Sequence, residues 1–156
     1  MTSGDRLEVF TLLSEYLNRD EFARDANAAY RAEAPSREAL DAAIAEALTL
    51  FLDRPDYGFV WLGFEDGRLA GCASVGYAIS LALGKVVASL DVFYVAPGTE
   101  AGLGVELFES LAEVLEAAEV ARVDVFVHHD DAGRQAFYSR LGFDSLREER
   151  MALLLD

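Results

Sequence analysis

Apolar residues recur every three to four positions early in the chain and every second position in the middle, so the pattern predicts helices followed by strands. Leu7, Phe10, Leu13, Tyr16 and Leu17 share one helical face, as do Phe22, Ala26, Ala29 and Tyr30, which predicts two short helices before Pro35. Ser36 is placed to cap a longer helix, with Glu38 in its first turn and Leu40, Ile44, Leu48, Phe51 and Leu52 on one face, ending before Arg54-Pro55. From Phe59 the period becomes that of strands. Phe59 to Phe64 and Leu69 to Ile79 flank Glu65-Asp66-Gly67-Arg68, where the Asp-Gly pair marks a hairpin because both residues tolerate positive φ. A second turn near Gly84-Lys85 leads into Val86 to Val95, so three consecutive strands form an antiparallel meander.

Beyond Val95 the pattern is helical again. Val105, Phe108, Leu111, Val114 or Leu115, and Ala118 make an apolar stripe that would pack on the sheet. Val123, Val125 and Val127 alternate with Asp124 and Phe126 as a strand, Asp131 is placed to cap a helix running to about Arg140, Gly142 ends it, and Arg150 to Leu155 supplies a last strand. The order is helices, three strands, helix, strand, helix, strand. With no repeats, low-complexity tracts or linker-like stretches, residues 1–156 read as one domain of α/β (α+β) class.

The junction Tyr94-Val-Ala-Pro-Gly-Thr-Glu-Ala-Gly-Leu-Gly-Val-Glu-Leu-Phe108 joins a strand to a helix through a glycine loop. Such a junction leaves backbone N–H groups unpaired at the positive end of a helix dipole, where a phosphate can bind. The loop itself carries Glu100, and no Lys or Arg lies between Lys85 and Arg122.

Charge narrows the choice of partners. The chain has 156 residues, 53% of them hydrophobic, and a net charge of −15, with 13 basic residues spread along it. A nucleic-acid partner is excluded, because a phosphate backbone needs a basic patch, and a cationic small molecule suits the acidity better. No segment has the roughly 18 or more uninterrupted apolar residues of a membrane helix, and Met-Thr-Ser-Gly-Asp-Arg lacks the layout of a signal peptide, so a soluble cytoplasmic protein is expected. The lone Cys72, between Gly71 and Ala73, reads as a small buried apolar residue rather than a nucleophile.

Two segments and the element order give the chain a family resemblance. Leu90 to Leu107 resembles the pyrophosphate-binding motif (Arg/Gln)-x-x-Gly-x-(Gly/Ala) of the GNAT superfamily of acyl-CoA-dependent N-acetyltransferases. Asp131-Ala-Gly-Arg-Gln-Ala-Phe-Tyr-Ser-Arg-Leu-Gly-Phe143 resembles the same family's Asn-x-x-Ala-x-x-(Phe/Tyr)-Tyr-x-x-x-Gly-Phe segment. The likeness runs from about Ser36 to Leu155 and implies a mixed, mostly antiparallel central sheet flanked by helices. In that fold a strand normally precedes the first helix. Here either Leu7 to Leu12 forms it in spite of their helical spacing, or it is absent and leaves a sheet edge that a second copy could cover as a homodimer.

The resemblance also implies a mechanism. Acetyl-CoA would lie between two splayed strands, beside Phe93, Tyr94 and Val95, with its pyrophosphate at the N–H groups of Glu100, Ala101, Gly102, Leu103, Gly104 and Val105. Tyr138 matches the tyrosine that hydrogen-bonds the thiol sulfur, and so stands as both cofactor contact and catalytic acid. Asp131, where Asn is usual, either touches the cofactor or only caps its helix, and capping suits a carboxylate better.

The pyrophosphate loop of this chain departs from the family at three places. Thr99 replaces the usual Arg or Gln, Glu100 replaces a frequent Gly, and the loop is one residue shorter than the common form. A carboxylate at ~4 Å from a phosphate costs about 1 kcal/mol in water and about 4 kcal/mol at a partly buried effective dielectric. Val92 stands at or near the place of a frequent Glu general base, and alternation turns Asp91 to the other face. His128 and His129 end a strand near the active-site side, and histidine as a residue type can serve as a base near neutral pH, but a rim pair is the commoner outcome. Zinc, or any other metal, is not expected, because adjacent strand residues point apart and no third ligand completes a set. The leading expectation is therefore transfer of an acetyl group from acetyl-CoA to the primary amine of a small, cationic acceptor. The rival is a non-catalytic protein of the same fold, with a degenerate loop, that binds a ligand or partner.

Overall fold

The computed structural model describes residues 1–19 and 36–146. The helix expected around Phe22 to Tyr30 and the strand expected over Arg150 to Leu155 lie outside the described residues.

Among the described residues four helices and four strands form an open mixed sheet with helices on both faces, as expected. They follow in the order α1 (Arg6–Arg19), α2 (Arg37–Asp53), β1 (Gly58–Glu65), β2 (Arg68–Ser80), β3 (Lys85–Val95), α3 (Leu103–Ala117), β4 (Val123–Val125) and α4 (Ala132–Arg140). Spatial order is also β1, β2, β3, β4. The first two pairings are antiparallel and β3 pairs with β4 in parallel. Both turns of the meander fall at the glycines expected of them, Gly67 at φ 76° and Gly84 at φ 62°. Ser36 caps α2 by accepting a 3.2 Å hydrogen bond from Ala39 N.

Two hydrophobic layers sandwich the sheet. Val9, Leu12, Leu13 and Tyr16 of α1 and Leu40, Ile44 and Leu48 of α2 pack with Val60, Cys72 and Val92 on one face. Leu111 and Leu115 of α3 pack with Ala73, Val75, Ala88 and Leu90 on the other. The thiol of Cys72 is fully buried, as expected of a small core residue.

Several expectations need correction. Leu7 to Leu12 are helical, and Leu7 is 75% exposed while Val9 and Leu12 are buried, so the buried face of α1 is rotated from the one expected. The buried stripe of α3 is Leu107, Leu111 and Leu115, with Val105 and Val114 turned to solvent. Strand β4 stops at Val125, and Phe126 is exposed. No strand precedes α1 among the described residues; instead the Met1 ammonium donates a 2.8 Å hydrogen bond to Val60 O on edge strand β1.

The ladder between β2 and β3 shifts register at one step: Val75 faces Leu90 but Ser74 faces Val92. Asp91 is thus an extra residue, a β-bulge. Leu90 packs under α3, whereas Val92 packs under α1 and α2. A two-residue step would keep one face, so the bulge shifts the phase of the strand, and the alternation that set Asp91 opposite Val92 does not apply across it.

Candidate active site

The bulge sits where the sheet opens. Pairing of β3 with β4 covers Ala88 to Leu90 and ends there, while β3 continues through Val95. Val92 N donates to Ser74 Oγ at 3.0 Å and Ala96 N to Ala70 O at 2.7 Å, both toward β2. By alternation the polar backbone groups of Phe93 and Val95 face the open side. The opening is a cleft of about 400 Å³, lined by Phe93, Tyr94 and Val95 from β3, by Glu100, Gly102 and Gly104 from the loop, and by Arg134, Phe137 and Tyr138 from α4.

The loop at its mouth presents backbone donors. Gly102, at φ 126°, is the residue before α3 and offers no side chain to cap it. Its carbonyl accepts from Val105 N and Glu106 N, and Leu103 N donates to Glu100 O at 3.3 Å. Among the described residues the N–H groups of Ala101, Gly102 and Gly104 have no acceptor. The amide of Glu100 does have one. It donates a 2.6 Å hydrogen bond to Glu65 Oε1, which reaches over from the end of the β1–β2 hairpin. Thr99, lacking a charge, donates from Oγ1 to Ala96 O at 3.0 Å and closes the turn.

Helix α4 forms the opposite wall. Asp131 caps it, Oδ1 accepting from Arg134 N at 2.9 Å, while Oδ2 lies 3.3 Å from the Arg134 guanidinium. That guanidinium stands over the Tyr16 ring of α1, 5.5 Å from its centroid, and Tyr16 stacks on Tyr94 at 4.5 Å. One turn further on, Tyr138 is 8% exposed and packs against Phe93, Phe137 and Phe143. Burial pushes its phenol up to about 12, with Arg134 opposing the shift and Tyr16 and Asp131 adding to it. The hydroxyl is therefore protonated at neutral pH. No hydrogen bond holds it among the described residues.

The sequence matches the profile of the Acetyltransferase (GNAT) family over residues 17–143. The chain belongs to that family. Solved structures with low sequence identity share its fold. An integron cassette protein from the mobile metagenome of Cole Harbour Salt Marsh superposes with a TM-score of 0.76 at 22% identity, covering 100% of this chain and 88% of its own. The ribosomal-protein-alanine N-acetyltransferase of Brucella melitensis biovar Abortus 2308 superposes at 0.70 with 17% identity, covering 99% and 96%. An acetyltransferase of Trypanosoma brucei does so at 0.64 with 23% identity, again covering 99% and 96%. No curated protein matches the sequence significantly.

In this GNAT chain the structure brings together most of the residues singled out from the sequence. Phe93, Tyr94, Val95, Glu100, Gly102, Gly104 and Tyr138 line one cleft, with Ala101, Leu103 and Val105 in the loop and first turn behind them and Asp131 capping the facing helix. Sequence reasoning missed Arg134, Phe137, Tyr16 and Glu65. Arg134 stands at the Ala position of the family segment, a departure visible in the sequence. Tyr16 and Glu65 come from elements far away in the chain.

The histidines do not join this cleft. His128 and His129 follow the end of β4, and their rings stack at 4.5 Å instead of pointing apart as adjacent strand residues would. His129 Nε2 lies 3.1 Å from Asp130 Oδ2, and Gln135 Nε2 donates to the carbonyls of both histidines. Two imidazoles and a carboxylate, His128, His129 and Asp130, are the one group of three metal-capable side chains found among the described residues. Val92 is buried and Ser74 occupies its amide, so this position offers no base.

Proposed function

We propose that the protein is an N-acetyltransferase that moves an acetyl group from acetyl-CoA to the primary amine of a small, cationic acceptor. The single observation that carries this reading is the cleft itself. A β3 edge left open beyond the Asp91 bulge, a loop with unpaired amides and a protonated phenol converge on one opening. These groups fit acyl-CoA: the amides of Ala101, Gly102 and Gly104 suit a pyrophosphate, and the backbone of Phe93 and Val95 suits the amide-bearing pantetheine arm.

Acetyl-CoA would supply an activated thioester. The residues of the chain do the rest. Phe93 and Val95 orient the arm, Phe93 and Phe137 exclude water, and the Tyr138 hydroxyl donates a hydrogen bond to the sulfur as negative charge develops there. Glu100 is the only carboxylate that lines the cleft among the described residues. In this reading the acceptor amine loses its proton to water or arrives neutral. The acidity of the chain favours a cationic acceptor.

Calorimetric titration with acetyl-CoA and CoA tests the reading, followed by turnover on a panel of primary amines. Micromolar binding with turnover is the expected result. A folded protein that binds neither compound would instead favour the non-catalytic use of the fold.

A further inference from the structure

We propose that Arg134 supplies the positive charge of the phosphate subsite, from α4, in place of the Arg or Gln that the loop lacks. The proposal rests on the acyl-CoA reading of the cleft and adds to it the side chain that neutralises the pyrophosphate.

The loop alone has the wrong balance of charge. It carries Glu100, its amide at that position is held by the Glu65 carboxylate, and Thr99 brings no charge. A pyrophosphate placed on the remaining amides would meet two carboxylates and no cation from its own loop. Arg134 is the only basic side chain that lines the cleft among the described residues.

Its position along the cleft fits. Because β3 and β4 are parallel, the glycine loop and the start of α4 leave the same end of the sheet. Helix α4 then runs back, with Arg134 one turn nearer that end than Tyr138 and on the same helical face. From the mouth inward the order is loop amides, Arg134, Tyr138. In CoA the order is pyrophosphate, then pantetheine, then thiol.

The guanidinium is also pre-organised. Asp131 Oδ2 lies 3.3 Å from one of its nitrogens, and the Tyr16 ring, itself stacked on Tyr94, lies beneath it. Its planar fork suits phosphate oxygens. Asp131 thus acts on the subsite at one remove, as the positioning residue for Arg134.

The test is titration of CoA into the full chain at low and moderate salt, comparing wild type with Arg134→Ala, Arg134→Gln and Arg134→Lys, with thermal melts of each. Arg134→Ala should weaken CoA binding by about ten- to a hundredfold, the range expected for a hydrogen bond to a charged group, and flatten its salt dependence. Inorganic pyrophosphate should compete with CoA on wild type and do so at least about tenfold less well on this variant. Arg134→Lys should bind CoA more tightly than Arg134→Gln. Wild-type binding that Arg134→Ala leaves within twofold overturns the proposal and spares the acyl-CoA reading. Absence of CoA binding to wild type overturns both. If Arg134→Ala unfolds early, the Lys and Gln variants decide, and equal affinities for CoA overturn the proposal.

Discussion

Glu65 Oε1 accepts a 2.6 Å hydrogen bond from the amide of Glu100, so a carboxylate of this chain already occupies one donor of its own anion-binding loop. Glu65 ends β1, directly opposite Arg68 across the hairpin, and the contact ties that hairpin to the start of the α3 loop. An incoming phosphate and this carboxylate compete for the same N–H.

Replacing Glu65 should therefore tighten anion binding. Glu65→Ala is expected to raise CoA affinity by about tenfold, since a hydrogen bond to a charged group is worth roughly 1.5–3 kcal/mol and part of that is offset by solvent at an exposed site. Titration of CoA into the two proteins checks this, and equal or weaker binding by the variant would show that the contact shapes the loop instead of blocking it.

Tyr138→Phe should lower kcat by about a hundredfold or more while changing the affinity for CoA little, the pattern of a group that acts on the leaving sulfur. Because burial raises the phenol to about 12, no ionisation of Tyr138 should appear in the rate profile between neutral pH and pH 9. The same shift has a sign for stability. The folded state holds the proton more tightly than the unfolded chain, whose tyrosines titrate near 10, so the contribution is complete below about pH 10 and is lost as pH rises through about 12. Denaturant midpoints for wild type and Tyr138→Phe should converge or cross over that interval, and parallel curves would contradict the assignment.

Cys72 should be silent toward thiol reagents in the folded protein. It is fully buried between β2 and the α1–α2 layer, and burial pushes its thiol up to about 12. Labelling should follow the rate of unfolding and accelerate in denaturant; rapid labelling in buffer would mean that the α1–α2 layer opens locally.

The rotated face of α1 can be read from two substitutions. Leu12→Ala should cost about 2–5 kcal/mol, as for other buried leucines, whereas Leu7→Ala should stay within about 0.5 kcal/mol. Chemical denaturation measures both. A large loss at Leu7 would require a partner covering its exposed side chain.

The long elements were legible because their periods are clean. The hairpin turns at Gly67 and Gly84, the Ser36 and Asp131 caps and the meander all follow from local chemistry that tertiary contacts reinforce. What was hidden depends on contacts distant in sequence. The face of α1 is set by Val60 and Cys72, which attract Val9 and Leu12 instead of Leu7. The cleft and its supports were only half readable: Phe93, Val95 and Tyr138 lie in family segments, but Tyr16, beneath Arg134, and Glu65, bonded to the loop, arrive from α1 and β1. Arg134 was in plain view, yet only its place opposite the loop gives it meaning. The histidines form the surface pair that was the commoner expectation, but they stack instead of pointing apart because β4 is shorter than its valine alternation implies and strand geometry does not govern them.

The extra residue at Asp91 also bears on how such a cleft tolerates change in length. Removing Asp91 would bring β3 back into step with β2 and leave Leu90 and Phe93 toward the layer of α3 and Val92 and Tyr94 toward that of α1 and α2. What would be lost is the local bend and added twist that a bulge gives its strand. Deletion of Asp91, whose side chain is exposed, should therefore leave the ladder and the two core layers intact and act instead on the shape of the cleft.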